Sequence, residues 1–168
     1  NVDDEALNEL ANSESLKESV HTLNLSGCNR ITDLSALEGC ASLHTLDLSG
    51  CFQVTDVSIS ALAGCASLQE LNLTSCYRVI DVSALGKCAS LHTLDLSNTN
   101  VDDKALNKLA NSESLKNSLH TLYLRGCQRV TDVSVLADCA SLHTLNLMFC
   151  DRVTDVSALD NPNLTIYH

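Results

Sequence analysis

The sequence predicts an α/β solenoid, a horseshoe segment with a parallel concave sheet and short helices or 3₁₀ turns on the convex side. Three observations lead there. The stretch Leu43-His-Thr-Leu-Asp-Leu-Ser-Gly-Cys51 recurs with small changes from Val20, Leu68, Leu91, Leu119 and Leu142, and a truncated copy starts at Leu164. The starts lie 23, 25, 23, 28, 23 and 22 residues apart, a spacing at which each unit is one strand plus one return segment. After each full copy come Ile or Val and then Asp, as in Val54-Thr-Asp56.

Each element is placed by this frame. Residues 1–19 match 100–118 almost letter for letter and read as the outer half of a repeat whose strand is missing. A helix is expected within Asp4–Ser19, because Leu7, Leu10 and Ala11 fall on one face and acids occupy the first turn. The 28-residue repeat should carry the same helix from Asp103, and the 25-residue repeat a shorter one around Ser58–Gly64. The 23-residue repeats leave only Asp-Val-Ser-Ala-Leu-type segments, short enough for 3₁₀ turns. In each strand alternate leucines, such as Leu46 and Leu48, face the core, while Thr45, Asp47 and Ser49 face out. We expect a single domain over 1–168, of about seven repeats, beginning and ending mid-repeat as a segment of a longer array.

The net charge of −11 argues against nucleic-acid and anionic-membrane partners, which need clustered Lys and Arg. No apolar run is long enough to span a bilayer, and no signal peptide is visible. Nine Cys is a high count, but they fall in two slots. Cys28, Cys51, Cys76, Cys127 and Cys150 hold one, where Thr99 replaces the fourth copy, and Cys40, Cys65, Cys88 and Cys139 hold the other. Placement by period rather than by pairing reads as buried, reduced thiols and a cytoplasmic protein.

The pattern L-x-x-L-x-L-x-x-C-x-x-V-T-D with a later Cys, carried by Cys51, Val54, Thr55, Asp56 and Cys65, resembles the cysteine-containing leucine-rich repeats of F-box proteins and protist repeat arrays. The F-box itself is absent. The short Asp-Val-Ser-Ala-Leu wording is similar to the repeats of phosphatase-regulator type proteins. The resemblance implies a protein-binding scaffold and no enzyme or cofactor.

A longer period points to a face. Residues 1–58 align with 100–157, and 41 of the 58 positions are identical. Among 12 concave and rim slots eight differ, against 9 of the other 46. The polar stretch Ala11–Lys17, by contrast, is unchanged in Ala110–Lys116. Drift of solvent-exposed residues would have altered both. Asn24, Ser26, Asp47, Ser49, Gly50 and Phe52 correspond to Tyr123, Arg125, Asn146, Met148, Phe149 and Asp151. Tyr and Arg are favoured hot-spot residues, and Met and Phe add apolar area. We therefore expect a protein partner on Tyr123, Arg125, Asn146, Met148 and Phe149, with Phe52 and Tyr77 as a smaller patch and Arg129 and Arg152 supporting from the rim. The bland alternative for Phe149 is packing over the end of the array.

Other rows have structural readings. His21, His44, His92, His120 and His143 share a slot. Metal ligands must converge and a row spaces them on a line, so a side-chain ladder is expected, not zinc. Asp33, Asp56, Asp81, Asp103, Asp132 and Asp155 are expected to cap the first convex turn. Arg30, Arg78, Arg129 and Arg152 line one rim slot. The Cys copies are all alike, whereas a catalytic nucleophile should be singular, and neither a phosphate loop nor a nucleophile elbow occurs. The sequons at Asn24, Asn72 and Asn163 read as coincidence. The second functional reading is self-assembly, a homo-oligomer or filament through uncapped ends.

Overall fold

The computed structural model describes residues 2–12 and 18–168. The later part of the helix expected within Asp4–Ser19, and most of the unchanged stretch Ala11–Lys17, lie outside the described residues. Seven parallel strands form one sheet in chain order: β1 (Thr22–Asn24), β2 (Thr45–Asp47), β3 (Glu70–Asn72), β4 (Thr93–Asp95), β5 (Thr121–Tyr123), β6 (Thr144–Asn146) and β7 (Thr165–Tyr167). The register repeats the sequence period, with Leu23, Leu46, Leu71, Leu94, Leu122, Leu145 and Ile166 side by side. The convex side carries α1 (Asp4–Ala11), α2 (Asp56–Ser60), α3 (Asp103–Ala110) and α4 (Leu115–Ser118). The 23-residue repeats carry 3₁₀ turns at Ser35–Leu37, Ser83–Lys87 and Ser134–Asp138, and another, Ala61–Gly64, comes after α2.

The core is a ribbon. Leu46, Leu48, Leu71, Leu73, Leu94, Leu96, Leu122 and Leu124 are all buried between the sheet and the convex turns. Backbone bonds tie each repeat to the next beyond the strand itself. Leu25 N donates to Asp47 O at 2.8 Å, and Gly27 N to Ser49 O at 2.7 Å. The cysteines add a second tie. All nine are buried thiols, and Cys51, Cys76, Cys127 and Cys150 donate to carbonyls of Leu25, Leu48, Leu96 and Leu124 in the preceding repeat. A small apolar side chain with a weak donor fits a buried slot beside a carbonyl that already accepts one backbone amide and has a second lone pair to offer. Thr99 turns instead to the carbonyl of its own Leu96, at 2.7 Å.

The aspartate row splits into two roles, correcting the expectation of uniform capping. Asp33, Asp81, Asp132 and Asp155 do cap: each accepts the amide two residues on, at 2.8 Å. Asp56 and Asp103 start α2 and α3 and reach forward into the next repeat. Asp56 accepts Ile80 N and Asp81 N at 2.7 and 2.9 Å. Asp103 accepts Thr131 N and the Thr131 hydroxyl at 2.7 and 2.6 Å, and Asp132 N at 3.1 Å. Asp4 does the same to Thr32 and Asp33. Capping passes to the preceding residue: Asp3 for α1, Thr55 for α2 and Asp102 for α3.

Leu7, Leu10 and Ala11 share one face as expected and line one apolar hollow, although Leu10 stays 38% exposed; its counterpart Leu109 is covered, because α3 packs on the 3₁₀ turn Ser83–Lys87 of the preceding repeat. The last copy is one residue short before its strand. Ile166 therefore takes the inward slot beside Leu145, and Tyr167 falls beside Asn146 on the concave face. A one-residue shift exchanges the faces of a strand.

Leu94→Ala, at a site with no exposed surface, should lower unfolding free energy by about 2–5 kcal/mol in denaturant titration. The Asp103 carboxyl is also a pH sensor of stability. Burial works to raise it, but the Thr131 hydroxyl, the Thr131 and Asp132 amides and the Arg152 charge outweigh burial and hold it below its ordinary value. A carboxyl that is lower folded than unfolded adds stability above its unfolded pKa and loses it as pH falls through the folded one. The denaturation midpoint should therefore drop below about pH 4, and Asp103→Asn should shrink that drop.

Candidate functional site

The concave face is built from three rows. The first holds Thr22, Thr45, Glu70, Thr93, Thr121, Thr144 and Thr165, and the second Asn24, Asp47, Asn72, Asp95, Tyr123, Asn146 and Tyr167. The third, in the turn after each strand, holds Ser26, Ser49, Thr74, Ser97, Arg125 and Met148. The second row has a local job. Asn24, Asp47, Asn72, Asp95 and Asn146 each accept the amide two residues on, at 2.8–3.0 Å, which closes the turn. Tyr123 stands in that row without an oxygen that can do this. Asn146 is thus partly structural, its Oδ1 holding Met148 N at 3.0 Å.

The residue before each repeat's Cys or Thr99 takes a left-handed backbone. Gly27, Gly50 and Gly126 do so with φ near +70°, and Ser75 and Asn98 with φ of 61° and 56°. At Gly126 a Cβ would meet the Asn98 carboxamide, whose end would have to swing aside to admit it. Phe149 adopts the same conformation at φ 61°, where a bulky residue costs about 1–2 kcal/mol. Phe149 is 57% exposed, and it borders a hollow at the end of the array with Leu147, Val153 and His168. The Arg125 guanidinium lies 4.8 Å from the Phe149 ring centre. An exposed cation–π contact contributes about 0.5–1 kcal/mol, less than the strain. The Gln128 side-chain amide donates to the Phe149 carbonyl and helps to fix the turn.

The other anticipated residues fall in separate places. Tyr123 and Asn146 are register partners on β5 and β6, and Met148 is 39% exposed beside them. Phe52 and Tyr77 stack at 5.4 Å between centroids and form a separate patch at the rim of the second and third copies. Arg129 and Arg152 border a rim hollow with Asp102, Asp103, Lys104 and Thr131, away from the strand rows. Arg30 lies 3.6 Å from Asp3, and Arg78 donates to Gln53 Oε1. Tyr167, half-exposed, joins the concave face and was missed, because the last copy's shortened spacing assigns it inward by simple counting.

The histidine row stacks: His21 on His44 at 5.1 Å and His120 on His143 at 5.5 Å, with His92 edge-on to His120. His21, His44 and His143 each donate Nδ1–H to a serine carbonyl two residues back. Among the described residues no three His, Cys, Asp or Glu side chains converge as a metal site requires. Burial pushes the Cys65 and Cys76 thiols up to about 12, and Cys51, Cys88, Cys127 and Cys139 to about 11, the opposite of what a nucleophile needs.

Residues 18–64 match the family described as Leucine Rich repeats (2 copies), and residues 87–110 and 138–159 match Leucine Rich repeat. No curated protein matches the sequence. Two solved structures are similar. One is an internalin (inlF) of Listeria monocytogenes, 27% identical with a TM-score of 0.60, matched over 82% of this chain and 44% of its own. The other is an internalin C2 (inlC2) of the same species, 28% identical with a TM-score of 0.58, matched over 96% of this chain and 74% of its own. The chain thus spans less than half of the first and about three quarters of the second.

Phe149→Gly, which restores the residue of the earlier copy, should raise unfolding free energy by about 1 kcal/mol, measured by thermal and chemical denaturation. In a thiol-reagent titration of the folded protein no cysteine should react fast, and reactivity should appear only as the chain unfolds.

Proposed function

The chain belongs to the leucine-rich repeat family, and from that premise we propose that it is an interaction scaffold whose concave face binds a partner protein through Tyr123, Arg125, Met148 and Phe149. Leucine-rich repeat proteins generally mediate protein–protein interaction and are typically non-enzymatic modules. The observation that carries the concave assignment is Phe149. A strained, exposed aromatic stands where the equivalent repeat has Gly50, and Arg125 braces it. Asn146 and Tyr167 extend the surface along the second row. Phe52 and Tyr77, in their separate rim patch, and Arg129 and Arg152, at their own rim hollow, would serve as secondary contacts for a partner that reaches past the concave rows. The strands and the hydrogen-bonded turns that follow them hold this surface in place before binding, which lowers the ordering cost of docking.

We read residues 1–168 as one repeat domain. Thiols that donate to buried carbonyls support a reducing compartment and hence the cytoplasm. Among the described residues no helix is long and apolar enough to cross a membrane. The acidic balance disfavours nucleic acid and anionic lipid as partners.

A second reading, end-to-end assembly of copies, is favoured by the apolar opening at Leu7, Leu10, Val20 and Leu23. Charge weighs against it. Within the array Lys108 of α3 bonds Asp81 of the preceding repeat at 2.6 Å. The matching residue of α1 is Glu9, and the last copy carries Asp155 in the Asp81 slot, so stacked copies would set two carboxylates together.

Affinity capture with the wild type beside a folded Tyr123→Ser, Arg125→Ser, Met148→Ser, Phe149→Ser variant tests the main reading. A partner retained by the first and lost by the second supports it, and equal capture by both removes it. A mass in sedimentation that rises with concentration would favour assembly.

A further inference from the structure

We infer that the partner presents a lysine or arginine beside an apolar side chain, the cation entering a hollow between Asp47, Glu70, Asp95 and Tyr123 and the apolar group resting on Met148 and Phe149. This rests on the concave-face reading above and adds the chemistry of what that face takes.

The hollow lies over β2, β3 and β4 and ends against the Tyr123 side chain. Its floor is Leu46 and Leu71, and its polar walls include Asp47 and Asp95 from the second row and Glu70 from the first. Glu70 breaks a row that is otherwise threonine, Thr22 through Thr165. The register puts Glu70 beside Thr45 and Thr93, with Asn72 between Asp47 and Asp95. Asp47 and Asp95 thus stand one strand to either side of β3, roughly 10 Å apart at the usual strand spacing, and Glu70 lies on β3 between them, so that three carboxylates line the one hollow. None of the three forms an ion pair among the described residues.

Turn closure uses one oxygen of Asp47 and one of Asp95, at 2.8 Å to Ser49 N and Ser97 N. Among the described residues no cation lines the hollow. The nearest candidate along the face, Arg125, is turned onto the Phe149 ring. A tyrosine ring beside carboxylates adds a quadrupole that favours a cation, and partial desolvation in a hollow strengthens both attractions. Next to this anionic end, the face turns apolar at Met148, Phe149 and Tyr167, all substantially exposed. A partner segment complementary to both ends carries a positive charge and, beyond it, apolar area. An acidic segment would meet three unpaired carboxylates, which is the cost that sets specificity.

A randomised dodecapeptide library displayed on phage and selected on the full chain is the test. Selected peptides are then measured on wild type, on Asp47→Asn, Glu70→Gln, Asp95→Asn, and on Tyr123→Ser, Met148→Ser, Phe149→Ser, each checked for folding by circular dichroism. The inference expects Lys or Arg enriched at a fixed distance from an apolar residue. It also expects at least tenfold weaker binding to the amide variant, and little residual salt dependence there. Binders lacking a basic residue, or binding the amide variant equally, overturn it. If those same binders are lost on the Ser variant, the concave-face reading stands without this chemistry. Binders indifferent to both variants, or no binders at all, overturn both.

Discussion

The structure depends on one constraint: a repeat of this length cannot bury its own leucines. Leu46 and Leu48 reach zero exposure only because the repeats on either side close over them. The in-register strands, the ladder of equivalent leucines and the bonds from strand to turn across every junction are consequences of it. It also explains the cysteines. A slot touching the preceding repeat's carbonyl needs a side chain that is small, apolar and able to donate, and a thiol is all three. Burial that makes this fit also raises the thiols to about 11–12, so the same geometry that holds the array together silences its most reactive groups.

Inter-repeat bonding is not uniform, and the variation tracks repeat length. Where the convex segment is a helix, its first residue, Asp4, Asp56 or Asp103, projects forward and takes two amides of the next repeat. Where it is a 3₁₀ turn, the aspartate closes on its own amide two residues on. A helix start displaces the carboxylate outward and brings the next repeat within reach, whereas a short turn keeps it local. The aspartates in one sequence slot therefore do two jobs, decided by whether a helix or a 3₁₀ turn begins beside them.

Within so regular a frame, departures stand out. The rows of the concave face repeat Thr, Asx and Ser because each Asx closes a turn. Tyr123 gives up that closure, and Phe149 accepts a left-handed backbone that glycine holds at no cost in the copy 99 residues earlier. Neither substitution is explained by folding, since both work against it locally. Glu70 is a third departure, placing a charge amid threonines. These three divide the face into an anionic end and an aromatic end.

Periodicity in the chain was enough to establish the solenoid, the inward leucines, the buried cysteines and the face on which the two halves diverge, because a period in residues becomes a period in space whenever identical units stack. It also indicated Tyr123, Arg125, Met148 and Phe149, since those slots differ between otherwise matching copies. It could not supply anything set by contacts between repeats. Tyr167 lies on the concave face because the last strand pairs one residue out of step with simple counting. Asp103 clasps rather than caps because the next repeat offers it two amides. The Arg125–Phe149 contact and the grouping of Asp47, Glu70 and Asp95 arise across strand junctions. Those are distances between residues 23 to 25 apart in the chain, and only the register of stacked repeats fixes them.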